Sequence, residues 1–229
     1  MNILVVCQYY YPEPFRITDI CESLAKKGHE VTVLTGLPNY PEGEILKEYR
    51  HRNKREELIK GVKVIRCYEI PRGKNKIKLF LNYFSYAVSA TLRALRLKDK
   101  YDVILVNQLS PVMMAIPAII YKKKFNKKML LYCLDLWPDS LAAGGVKRDS
   151  IIYKLFYKIS KLIYNSADLI LVTSSMFEEY FRNVLKLDEV KINHLPQYAE
   201  DLFTLNPEKD IFISEENKIY KLKLNQRRV

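Results

Sequence analysis

YDVILVNQLSPVMMAIPAIIYKKKFNKKMLLYCLDLWPDS, residues 101–140, reads as two strands joined by a helix. YDVILVN (101–107) and KMLLYC (128–133) are short runs, nearly continuous in apolar residues, and between them lie the turn QLSP and the apolar helix VMMAIPAIIY. Strands linked by a helical crossover pair in parallel, and strands buried on both faces carry this unbroken apolar texture rather than strict alternation. The second strand runs into LDLWPDS, where Asp135 and Asp139 flank the only tryptophan, Trp137, and a proline.

The same unit repeats outward in both directions. Toward the N-terminus, NILVVC (2–7) leads through QYYYPEPFR into the amphipathic ITDICESLAKKG, with Gly28 as its C-cap, and EVTVLT (30–35) follows until LPNYPEG breaks it. VKVIRCY (62–68) is a further strand after the very basic stretch YRHRNKREE. KLFLNYFSYAVSATLRALRL (78–97) holds 14 uncharged residues from Leu79 to Leu92, which suits a core or interfacial helix and is too short to span a bilayer.

Toward the C-terminus, IIYKLFYKISKLIYNSA has apolar residues at Ile152, Leu155, Phe156, Ile159, Leu162 and Ile163 with a basic opposite side. DLILVTS (168–174), the helix FEEYFRNVLK and a last strand VKINHLP (190–196) complete the alternation. It predicts a doubly wound α/β fold, a mainly parallel sheet with helices on both faces. After Phe203 the texture turns polar, so residues 1–203 are expected to form the domain and 204–229 a short polar tail.

Composition bounds the function. At 229 residues and 48% apolar content the chain can bury a proper core. Cys7, Cys21, Cys67 and Cys133 sit in apolar runs without a C-x-x-C pair, which predicts small buried hydrophobes in a reduced, cytosolic protein rather than metal ligands. Met1 to Cys7 is too short for the apolar core of a secretory signal and has no basic leader, and no metal or cofactor is expected. A formal charge of +12, from 38 Lys and Arg against 26 acids, points to an anionic partner: nucleic acid, phosphorylated ligand or acidic membrane.

Ligands of such sheets bind at the carboxyl ends of the strands, beside the point where strand order reverses. The loops 8–16, 107–111 and 134–145 are therefore the candidates, and they carry Glu13, Arg16, Gln108, Ser110, Asp135 and Asp139. Arg16, near the start of the first helix, can meet an anion there or simply face solvent, as can Glu13. Asp135 is expected to face the crevice; Asp139 either joins it or caps the next turn, and Trp137 plugs the top of the core. QYYYPEPFR has no glycine, which disfavours a dinucleotide pyrophosphate against that turn.

QYYYPEPFRITDICESLAKKGHEVTVLTGLPNYPEG, YDVILVNQLSPV, LYCLDLWPDS, and NSADLILVTS leading into INHLPQYAEDLF together resemble the N-terminal domain of family 4 glycosyltransferases, closest to the bacterial O-antigen and capsule, fucosamine-transferase-like type. The resemblance covers residues 1–203. It implies one half of a GT-B enzyme built of two Rossmann-like domains, which transfers a sugar from a nucleotide-sugar donor with retention of configuration. The N-terminal half binds the acceptor, and the donor-binding half is expected to be absent here. Glu208 and Glu216 have the spacing of the family's donor-site glutamates, yet Glu22 and Glu30, or Glu48 and Glu56, have it too.

Where many members carry a histidine touching the donor sugar, this chain has Leu134 and Asp135, so the catalytic polar role is carried over to Asp135. The implied acceptor is a polyprenyl diphosphate-linked sugar or another saccharide, at the inner face of the cytoplasmic membrane. There the 78–97 helix and Lys154, Lys158 and Lys161 would meet anionic lipid, or the lysines form one solvated face. The alternatives are a non-catalytic module that docks to a separate donor-binding chain and, less favoured, a nucleic-acid-binding domain. The last is disfavoured because Lys and Arg are spread along the chain without a recognition motif.

Overall fold

The computed structural model describes residues 1–98, 100–187 and 190–197. The elements run β1 (Asn2–Val6), α1 (Ile17–Lys26), β2 (Glu30–Thr35), β3 (Glu56–Ile59), β4 (Val62–Arg66), α2 (Lys76–Arg96) and β5 (Val103–Gln108). One 3-10 turn, Lys47–Tyr49, precedes β3, and a second, Val112–Ala115, leads into α3 (Ile116–Phe125), followed by β6 (Lys128–Cys133), α4 (Asp139–Ala143), α5 (Ile151–Asn165), β7 (Leu169–Val172), α6 (Ser175–Asn183) and β8 (Lys191–His194). Met1–Pro196 form one compact unit. The expected boundary at 203 and the 204–229 tail lie outside the described residues.

One eight-stranded sheet holds the order β3-β4-β2-β1-β5-β6-β7-β8, parallel throughout except for β3 against β4. The chain winds outward from β1 to β2 and β4, then returns through α2 to pair β5 with the other edge of β1. Strand order therefore reverses between β1 and β5. Right-handed crossovers in opposite directions place α1 on one face and α2, α3 and α5 on the other. α2 packs on α3, and both α2 and α5 pack on the 3-10 turn at Val112–Ala115.

The doubly wound reading holds, with physical reasons visible locally. β1 and β2 are buried nearly end to end, as central parallel strands must be. α1 turns Ile17 and Cys21 inward and ends at Gly28, whose φ of +86° only glycine adopts cheaply. Asn75 caps α2 by accepting from the Lys78 amide at 2.8 Å, and Ser150 caps α5 through the Tyr153 amide at 3.2 Å. All four cysteines are free and buried, and burial pushes the thiols of Cys7, Cys67 and Cys133 up to about 12.

Three details depart from the expectation. β3, EELI, starts at the end of the basic stretch and forms an antiparallel edge, legible only once β4 is placed beside it. α4 occupies part of the loop after β6. The inward face of α5 is Tyr153, Ser160, Ile163 and Tyr164, whereas Ile152, Leu155 and Leu162 of the predicted stripe are exposed beside Lys154 and Lys158. Tyrosines fill the interior there because their hydroxyls find partners: Tyr164 donates to Gln108 Oε1 at 3.2 Å.

Candidate functional site

A cleft of about 300 Å³ opens at the strand reversal, lined by Tyr9 and Phe15 after β1, Tyr40 after β2, Arg72 after β4, Tyr83 of α2, and Leu109, Ser110, Leu134 and Asp135 after β5 and β6. One wall is aromatic. Tyr9 stacks on Phe15 with ring centres 5.0 Å apart, and Tyr40 tilts against both at 6.0 and 5.3 Å. Arg72 lies over the Tyr40 ring at 5.4 Å and donates from Nη1 to the Tyr9 hydroxyl at 3.2 Å. Rings with a nearby guanidinium suit the apolar face and polar edge of a sugar.

The opposite wall is the turn after β6. The Asp135 carboxylate accepts from the hydroxyls of Ser110 and Ser140 and from Trp137 Nε1 at 3.2 Å. Ser110 and Trp137 share Oδ2, while Ser140 alone holds Oδ1, so one acceptor position on Oδ1 stays open. Trp137 itself is buried and meets Phe156 edge-on at 5.5 Å, which makes it the plug at the top of the core. The bulky turn thus fixes a carboxylate at the mouth of the sheet.

Beneath the cleft lies a buried polar hub. Gln8 Nε2 donates to Glu69 Oε2 at 3.0 Å and to Asn82 Oδ1 at 2.9 Å, and Asn39 Nδ2 donates to Glu69 Oε1 at 2.6 Å. Asn39 Oδ1 in turn accepts from the Arg72 amide at 3.0 Å, and Asn82 Nδ2 donates to the Ile70 carbonyl at 2.7 Å. Glu13 clamps two loops: its carboxylate accepts from the amides of Asn39 (2.9 Å), Tyr40 (2.7 Å) and Tyr10 (3.3 Å). Burial outweighs those three donors and pushes Glu13 up to about 7, and burial holds the Glu69 carboxyl well above the usual carboxylate range.

Of the residues singled out in the sequence, Asp135 and Ser110 meet in the cleft. Gln108 does not reach it: fully buried, it donates to the carbonyls of Leu109 and Asp135 at 2.8 and 3.0 Å and splices two loops together. Glu13 is buried rather than solvent-facing. Arg16 is half-buried just before α1, within electrostatic reach of Tyr132. Asp139 turns away, accepting from the Tyr153 hydroxyl at 2.8 Å and Arg148 Nε at 3.2 Å; it opens α4 without capping it. Lys154 and Lys158 are exposed and Lys161 is half-buried, all on α5.

The cleft residues missed in the sequence are Tyr9, Phe15, Tyr40, Arg72 and Tyr83. The aromatic loops QYYYPEPF and LPNYPEG were visible as breaks, and their density of rings was the available signal. Arg72 and Tyr83 had none, because only the sheet order brings them to the same place. A larger cavity of about 690 Å³ lies beside the cleft between residues 42–50 and 70–78, but neither the β5 nor the β6 loop contributes to it. The smaller cleft is the candidate site, since it sits at the strand reversal and joins carboxylate, guanidinium and rings.

The Glycosyltransferase Family 4 profile matches residues 16–197. The chain belongs to this family. A probable glycosyltransferase of Pseudomonas aeruginosa, WbjE, is 31% identical over 112 residues, which is 46% of this chain and 27% of the relative; the aligned part is thus about a quarter of that protein's length. Among solved structures, sucrose-phosphate synthase of Thermosynechococcus elongatus superposes with a TM-score of 0.61 at 17% identity, covering 87% of this chain and 48% of that one. UGT89C1 of Arabidopsis thaliana in complex with UDP-L-rhamnose gives 0.51 at 14% identity, covering 91% and 50%. At these identities the likeness shows the fold: the N-terminal domain of the GT-B type.

Proposed function

We propose that this domain binds the acceptor for a nucleotide-sugar-dependent, retaining glycosyltransferase of bacterial surface polysaccharide synthesis, and that transfer requires a donor-binding half. The observation that carries the reading is the cleft at the strand reversal, where the Tyr9–Phe15–Tyr40 rings and Arg72 face Asp135. Rings hold the acceptor sugar, Arg72 holds an anionic substituent such as the diphosphate of a polyprenyl carrier, and the open position on Asp135 Oδ1 accepts a sugar hydroxyl or stabilises positive charge at the anomeric carbon. Family membership supports the transferase class, and the relative solved with UDP-L-rhamnose supports a nucleotide-sugar donor. The polysaccharide role rests on the motif resemblance.

No helix among the described residues is long and apolar enough to cross a membrane. Peripheral attachment to the inner face of the cytoplasmic membrane is supported by exposed Phe80 and Phe84 on α2, exposed Ile151, Leu155 and Leu162 on α5, and the lysines beside them.

The test is direct titration of the chain with a polyprenyl diphosphate-linked saccharide, followed by saturation-transfer NMR. Binding that weakens about 10-fold or more in Arg72→Gln, the scale of one lost charge-assisted contact, is expected. Absence of binding by the folded chain, or equal binding by Arg72→Gln, removes the acceptor reading. Adding a donor-binding half and a nucleotide sugar should then give turnover, and the chain alone should give none.

A further inference from the structure

Away from the cleft, a second pocket of about 310 Å³ opens between the β3–β4 edge of the sheet and the C-terminal half of α2. Arg55, Arg66, Arg93 and Arg96 line it, Arg66 being paired with Glu57 at 3.1 Å, and Glu56 is the one acid in the lining among the described residues. That acid is already shared: Arg93 donates to it, and Lys63 Nζ lies 3.2 Å from it. Glu56 is thus neutralised by Arg93 and Lys63, and Arg55 and Arg96 add positive charge to the same pocket.

Three guanidinium nitrogens of the lining arginines lack an acceptor. Arg55 Nη1, Arg66 Nη1 and Arg93 Nε are buried without a hydrogen-bond partner. Arg55 has no carboxylate within salt-bridge distance among the described residues, and burial above all, with Arg52 nearby, lowers its pKa. An unsatisfied buried donor on a charged group is costly, and three around one pocket beside further like charge mark a place where an acceptor comes from outside the chain.

The rim differs from the interior. Tyr68 and Leu92 line it and are 57% and 51% exposed, and Leu92 continues the apolar stripe of α2 through Val88 and Leu95. A small oxyanion fits the interior, since guanidinium forks match phosphate oxygens in pairs, and the volume stands at the lower limit of small-ligand sites. We infer that this pocket binds the phosphate of a phosphate ester whose apolar or polyol body lies against Tyr68 and Leu92, either a phospholipid headgroup or a soluble sugar phosphate. None of these residues lines the acceptor cleft, so the failure of either assignment leaves the other standing.

The experiment uses the full chain with two probes: glycerol 3-phosphate by calorimetry, and flotation with phosphatidylglycerol–phosphatidylcholine vesicles against phosphatidylcholine alone. The variant is Arg55→Gln with Arg96→Gln, which spares the Arg93–Glu56 pair joining α2 to β3. Lys26→Gln with Lys27→Gln on and after α1 removes the same charge elsewhere, and Arg55→Lys with Arg96→Lys keeps charge while removing the fork. Unfolding midpoints without ligand confirm that every variant is folded.

Loss of about 10-fold or more on the vesicle arm, beyond that of the α1 control, assigns the site to a lipid headgroup. Loss on the glycerol 3-phosphate arm alone assigns it to a soluble phosphate ester. The lysine variant is expected between wild type and the glutamine variant. If the wild type binds neither probe, or the glutamine variant differs from the α1 control on neither arm, the inference is overturned and water satisfies the orphaned donors.

Discussion

The floor of the cleft and the outer face of α2 reverse the usual distribution of side chains in opposite senses. Under the cleft, Gln8, Glu13, Asn39, Glu69 and Asn82 are buried, whereas on α2 Ile77, Phe80, Leu81, Phe84, Val88, Leu92 and Leu95 face outward. α1, on the other face of the sheet, behaves normally and exposes Asp19, Ser23 and Lys26. Burying carboxylates is unfavourable unless they are hydrogen-bonded, and exposing a row of phenylalanines and leucines forfeits burial energy. The hub ties the loops after β1, β2 and β4 to one another and to α2, and the apolar outer face of α2 has no such role in the fold. The two regions should therefore respond oppositely to substitution: the hub through stability, the helix face through binding.

The hub gives the largest expected effect. A Cβ at Gly36 would stand 2.6 Å from Glu69 Oε1, and that carboxyl cannot withdraw without breaking its bonds to Gln8 and Asn39. Gly36→Ala should cost about 3 kcal/mol, combining overpacking with a displaced buried polar group. Urea unfolding measures it. A cost below about 1 kcal/mol would mean that the hub yields easily and does not fix the loops.

Glu13 sharpens the same point through pH. Its pKa rises from 4.5 in the unfolded chain to about 7 in the fold, so between these values the native state retains a proton that the unfolded state has lost. Stability from this group is full below pH 4.5 and is lost as pH rises through about 7, by up to about 3 kcal/mol. Glu13→Gln should flatten that part of the stability-against-pH curve, with Glu69, raised in the same direction, retaining a residual slope. Equal slopes in variant and wild type would show that Glu13 is ionised in the fold at neutral pH.

These regions also differ in how far the sequence exposes them. Period and texture placed β1, β2 and β6 almost to the residue, because a central parallel strand must be apolar throughout. The uncharged run of α2 left core and interface equally open. Its inward face proved to be Asn82, Tyr86, Ala87, Ala90 and Ala94; the three alanines let the helix pack closely on α3, and most of the bulky residues turn outward. The hub was illegible for a different reason. Gln8, Asn39, Glu69 and Asn82 lie on four separate segments, and nothing in their local sequence says that the strand reversal brings them together. Asp135 was legible because an acid, a tryptophan and a proline crowd the end of one strand.

Asp135 tests the boundary between the hub-like and ligand-facing roles, since it both holds its turn and lines the cleft. In a chain joined to a donor-binding half, Asp135→Asn should lower turnover about 10-fold or more, as expected for one charge lost from a preorganised site. Stability should fall by about 1 kcal/mol, because Ser110 and Ser140 can rotate their hydroxyls to the amide. Asp139→Asn loses only the Arg148 and Tyr153 contacts and should leave turnover nearly unchanged. Turnover and melting temperature falling in proportion in Asp135→Asn would make the residue a purely structural one.

The smallest effect on stability is expected where the exposed rings are largest. Phe80 and Phe84 are 51% and 53% exposed, and their rings stack on each other at 6.3 Å without entering the core. Replacing both by serine removes little buried area, so the unfolding free energy should stay within about 0.5 kcal/mol of the wild type. Serine also has a lower helix propensity than leucine or alanine but close to that of phenylalanine, so α2 itself is not weakened. If this face rests on a membrane, each ring inserted at the interface contributes apolar burial on binding, and the double variant should lose about 10-fold or more in vesicle affinity. The paired readout separates the alternatives. A stable variant with unchanged binding to phosphatidylglycerol vesicles would show that the α2 face serves another partner, and a destabilised one would show that Phe80 and Phe84 belong to the fold after all.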